Sequence, residues 1–115
     1  MNFIPYKANE YQVPKELFIN PYYVILSLAS KVLYGLLLDR LSISIKNNWT
    51  DDKGDIYIVY SRKEAGLKLN LSDKTVTKAF KELKNVKLIR EIRTGFKKNN
   101  IIYVGKINHV EIYDS

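Results

Sequence analysis

Lys74, Lys78 and Lys81 fall within one arc of any helix drawn through residues 73–85, because each residue advances 100° around the axis. Asn85 extends the stripe, and Thr75 and Thr77 flank it. Side chains of these types can do two things to a polyanion. They can pair with phosphate oxygens, and they can reach nucleobase edges, lysine donating to guanine O6 and N7 and the threonine methyl touching thymine. The base-reading candidates are therefore Lys74, Thr75, Thr77 and Lys78. The phosphate candidates are Ser61, Arg62 and Lys63 at one helix start, Ser72 at the next, Lys81, and the Lys97-Lys98 pair further on. Any one of these lysines could be an ordinary solvated charge; their joint placement favours a polyanion partner.

Covalent chemistry has little to work with. There is no cysteine, so no disulfide, thiol nucleophile or Cys–zinc site, and the lone histidine, His109, sits near the end as a plain surface or strand-end residue. No Gly-rich phosphate loop, G-x-S-x-G elbow or metal-ligand spacing occurs. Asp51 and Asp52 are adjacent carboxylates, but Asp-Asp-Lys-Gly-Asp is turn chemistry, with no further ligands converging in the sequence. Neither enzyme activity, cofactor nor metal is expected. Lack of cysteine fits a cytoplasmic protein.

The elements that must position these residues follow from the pattern. The chain has 115 residues and a formal net charge of +7, one domain's worth of sequence. Residues 1–60 carry six basic and six acidic side chains, whereas residues 62–106 carry 13 basic against four acidic. Ser61-Arg62-Lys63-Glu64 is a capping box and opens a short helix that Asn70 can stop. Ser72 caps a second helix, whose Val76, Ala79, Phe80 and Leu83 form the inward face opposite the lysines. Two capped helices around a three-to-four-residue turn make a helix-turn-helix, the second helix entering the major groove. Residues 89–93 and 101–104 then alternate as strands around a basic tip bearing Lys97 and Lys98, the wing of a winged helix.

Upstream, Ser27 caps a leucine-rich core helix running to Ile45 or Lys46, and Ile56 to Tyr60 has strand composition. All three prolines lie in the first 21 residues, in a segment rich in aromatics with one helical turn at Pro14 to Phe18, Pro14 suiting the first helical position. The fold expected is α+β, a winged helix-turn-helix in a single domain. Its parts are an N-terminal aromatic arm over residues 1–26, the winged domain over 27–107, and a tail over 108–115. The arm can pack on its own core or on a second copy, with Phe3, Tyr6 and Tyr11 as the candidate dimer contact. No signal peptide or membrane-length apolar run is present, so no membrane partner is expected.

Several strings resemble one family: residues 13–18 (VPKELF), 22–23 (YY), 26–28 (LSL), 31–40 (KVLYGLLLDR), 48–49 (NW), 56–57 (IY), 61–64 (SRKE) and 78–83 (KAFKEL). In this order they are similar to the N-terminal domain of replication initiator protein A from theta-replicating plasmids of staphylococci and related Gram-positive bacteria. The resemblance runs from about Val13 to Val104. It implies double-stranded DNA binding at origin repeats (iterons), as a dimer or higher assembly. It also implies a C-terminal domain beyond this sequence, through which host replication proteins could be contacted. By the same match, Lys74, Thr75, Thr77 and Lys78 would read bases and Lys97 and Lys98 would serve the wing. One departure is Val86-Lys87, where relatives favour an acidic residue and glycine at the helix exit. A winged-helix transcriptional repressor and a protein-interaction winged helix are the alternatives.

Overall fold

A computed structural model describes residues 2–6, 10–93 and 100–107. Seven elements follow in order: α1 (Glu16–Ile19), α2 (Leu28–Lys46), β1 (Ile58–Val59), α3 (Arg62–Leu69), α4 (Asp73–Asn85), β2 (Ile89–Ile92) and β3 (Ile101–Val104). The three strands form one antiparallel sheet in the order β1-β3-β2.

The Ser27 hydroxyl caps α2 by accepting from the Ser30 amide at 3.2 Å. α2 buries Leu33, Tyr34, Leu36 and Leu37 on more than one side, because it packs against α4 and is also crossed by the N-terminal segment. That crossing explains Gly35. A Cβ there would lie 2.9 Å from both the Gln12 carbonyl oxygen and Val13 Cγ2, closer than packed atoms tolerate.

The segment expected as an arm over 1–26 divides in two. Phe3, Ile4 and Tyr6 are exposed, whereas Leu17, Tyr23 and Leu26 are part of the buried core. The inner stretch is thus a layer of the domain, held by its own apolar burial. Pro14 stands before the Lys15 N-cap of α1 instead of at the first helical position, and its carbonyl accepts from the Leu17 amide at 3.2 Å.

Asp51 closes the turn before β1. Its Oδ1 accepts from the Lys53 and Asp55 amides at 2.9 Å, and its Oδ2 from the Tyr103 hydroxyl at 2.7 Å. The Tyr103 bond, then those amides, hold its carboxyl below the ordinary range. The carboxylate is committed to tying this turn to β3. The regular strand that follows is only two residues long, shorter than the β-rich composition of 56–60 suggests, because β3 offers partners only opposite Ile58 and Val59.

α4 ends in a Schellman arrangement: the Leu88 amide reaches the Leu83 carbonyl at 3.0 Å and the Lys87 amide the Lys84 carbonyl at 3.1 Å. Lys87 takes φ 64 at the position where glycine is preferred. The departure at Val86-Lys87 therefore leaves the turn intact and puts a lysine in the left-handed region. Lys87→Gly should raise stability by about 0.5–1 kcal/mol; urea unfolding checks it as a higher midpoint with an unchanged slope.

Two polar ties fix α4 and the sheet to α2. Glu82 Oε1 accepts from the Ser27 amide at 2.8 Å and the Ser30 hydroxyl at 2.9 Å. The Tyr34 hydroxyl donates to the Gly105 carbonyl at 2.7 Å, and burial pushes its pKa up to about 12.

Candidate nucleic-acid interface

α3 begins with the complete capping box. The Ser61 hydroxyl accepts from the Glu64 amide at 3.0 Å, and Glu64 Oε1 accepts from the Ser61 amide at 3.4 Å. Asn70 stops α3 at φ 54, a left-handed conformation asparagine tolerates. The Ser72 hydroxyl then caps α4 by accepting from the Thr75 amide at 3.2 Å and lies 3.0 Å from the Thr75 hydroxyl.

α4 is two-sided. Val76, Ala79, Phe80 and Leu83 are buried, while Lys74, Thr75, Thr77, Lys78 and Lys81 are all exposed. The structure thus brings the four base-reading candidates and Lys81 onto one open helix face. Ser61 and Ser72 are occupied as caps, so what they offer an anion is the positive end of their helices and not free hydroxyls. Lys63 is exposed in the first turn of α3. Lys97 and Lys98, like His109, lie outside the described residues. The strands on either side of the tip are paired to their ends, Ile92 opposite Ile101.

Arg62 differs from its expected role as a simple phosphate ligand. Its guanidinium makes a bidentate ion pair with Glu91, Nη1 to Oε2 at 2.7 Å and Nη2 to Oε1 at 2.9 Å, and stacks 4.8 Å above the Phe80 ring. Lys84 Nζ reaches Glu91 Oε1 at 3.2 Å and Asn100 Nδ2 reaches Oε2 at 2.9 Å. Burial would raise the Glu91 pKa. Hydrogen bonds from Arg62, Asn100 and Lys84 outweigh it and bring the group down to about 2. This cluster was not foreseen. Its members are spread from residue 62 to residue 100, and no local spacing announces them.

The profile of the N-terminal region of replication initiator protein A matches residues 9–114, nearly the whole chain. The chain belongs to the replication initiator protein A N-terminal family. The initiator domain is 40% identical to a solved structure of an N-terminal domain of a DNA-binding protein and, equally, to one of a Rep–DNA complex. Each match covers 90% of this chain and 79% of the other, with a TM-score of 0.78. A structure of an MDR initiator is 41% identical at TM-score 0.76, over 90% of this chain and 81% of that one. These neighbours agree with the winged-helix architecture. Among curated proteins, a 41 kDa protein of Lactobacillus helveticus is 29% identical over 90 residues, 78% of this chain. The initiator domain spans about a quarter, 26%, of that relative's length. No described helix is long and apolar enough to cross a membrane.

Proposed function

We propose that this initiator domain binds double-stranded DNA sequence-specifically at the repeated sites of a plasmid origin, as the DNA-reading part of a longer initiator. The observation that carries this reading is the α4 face, where three lysines and two threonines stand exposed above a fully buried apolar side. The relative solved as a Rep–DNA complex supports the same partner. In this reading α4 enters the major groove, Lys74, Thr75, Thr77 and Lys78 meet base edges, and Lys63, Lys81, Lys97 and Lys98 meet phosphates. The domain makes no covalent change in the DNA and acts in the cytoplasm. Contacts with host replication proteins fall to the rest of the longer initiator.

Titration of a labelled duplex at increasing salt tests the electrostatic part. Binding should weaken steeply as salt rises, and Lys97→Ala should lower affinity for all duplexes alike and shallow the slope by about one. A slope unchanged by Lys97→Ala would remove the wing from the phosphate set.

The same reading includes a second copy of the chain. Phe3, Tyr6 and Tyr11 are 91%, 74% and 49% exposed, and Ile25, just before α2, and Leu28, its first residue, are 80% and 70% exposed. Apolar surface of this kind gains by pairing with its like. In sedimentation runs the intact chain should form dimers. Removal of residues 1–12 combined with Ile25→Asp should shift them to monomers; a dimer that survives both changes would place the contact elsewhere.

A further inference from the structure

Glu91 lies in a cleft between the start of α3, the outward side of α4 and the stem of the hairpin, lined also by Arg62, Thr77, Lys84, Arg93 and Asn100. Its side chain is only 7% exposed. An ionised carboxylate offers about four acceptor sites, and here four are filled: two by Arg62, one by Lys84 and one by Asn100. Glu91 has no acceptor left for a cytosine amino group. What it does is hold donors from α3, α4 and the residue just before β3 around one point. Arg62 is fixed along one edge by Glu91 and on one face by Phe80. Arg62 and Thr77 line the same cleft, and a guanidinium has five N–H donors, of which the Glu91 pair uses two.

We propose that Glu91 is a positioning residue for DNA specificity: its carboxylate holds Arg62, Lys84 and the wing stem in one arrangement beside Thr77, so that these cations engage a duplex only in the register α4 reads. The inference rests on the DNA-binding reading above. A lysine or arginine free to follow any phosphate backbone adds affinity without sequence information. The same cation held to a carboxylate has its charge largely answered within the protein and its position set. Removing the Glu91 charge releases two cations at once.

The test uses the full chain and two probes: a duplex enriched by the wild-type chain from a randomised pool, and a scrambled duplex of the same composition. Glu91→Gln keeps the shape and removes the charge. It should bind the scrambled duplex several-fold more tightly, with a salt slope steeper by about one to two. It should bind the enriched duplex no better, so that the ratio of the two affinities falls by about tenfold. Asn100→Ala, which removes only the wing-stem donor and leaves both ion pairs, should lower the ratio in the same direction by a smaller factor. It carries the test if Glu91→Gln melts below the assay temperature. Proportional weakening on both duplexes, or an unchanged ratio in both variants, would overturn the proposal while leaving the DNA reading intact. Failure of the wild-type chain to enrich any duplex would overturn the DNA reading and this inference with it.

Discussion

The Lys74→Ala/Lys78→Ala double variant is expected to lose about 30-fold or more in affinity for the duplex that the wild-type chain selects. Each base-reading contact of this type is worth about 1–3 kcal/mol, and the two lysines lie one turn apart on the exposed face of α4. Neither side chain belongs to the buried set, so thermal stability should change by no more than about 0.5 kcal/mol. Affinity for scrambled duplex should fall far less, since the other cations remain. Titration of both duplexes with both chains separates the outcomes. Wild-type affinity retained by a folded double variant would show that α4 does not read the bases.

The second large effect is on acid stability. The folded-state pKa of Glu91 is depressed to about 2, below the value near 4.3 of an unfolded chain. A group depressed on folding adds stability that is fully present above the unfolded value. That stability is lost as pH falls toward the folded one, here between about pH 5 and pH 2. With Arg62 and Lys84 still partly in contact with water, the contribution is about 2–3 kcal/mol. Domains of this size have about 5–15 kcal/mol in total. Glu91→Gln should therefore be less stable than wild type by that amount at pH 7, with the gap closing toward zero near pH 2. Chemical unfolding across this range checks it. A gap independent of pH would mean that Glu91 contributes shape and not charge.

Much of the domain was legible because its signals are local. Ser61 with Glu64, Asn70 and Ser72 announce both helix boundaries within a few residues, and the 3.6-residue spacing of Val76, Phe80 and Leu83 defines which face of α4 is left open. What was not legible depends on distant partners. Glu91 alternates within a short strand like any surface carboxylate, and only the packing of α3, α4 and the chain entering β3 brings Arg62, Lys84 and Asn100 around it. The Arg62–Glu91 pair was hidden for the same reason, since a basic residue beside a helix cap suits a phosphate as well as a carboxylate 29 residues away. The proline-rich start left packing on its own core and on a second copy both open, and composition could not divide it; Leu17 and Tyr23 are buried in the domain's own core, while Gly35 lets Gln12 and Val13 lie against α2. The left-handed Lys87 is a residue choice that a preference for glycine could not anticipate.

Hydroxyl-radical footprinting of the full chain on the DNA flanking its own coding sequence tests the central claim most directly. The account predicts protection of tandem repeats, spaced by whole turns of the duplex and lost with Lys74→Ala/Lys78→Ala. Absence of protection, or one isolated palindrome, would contradict it.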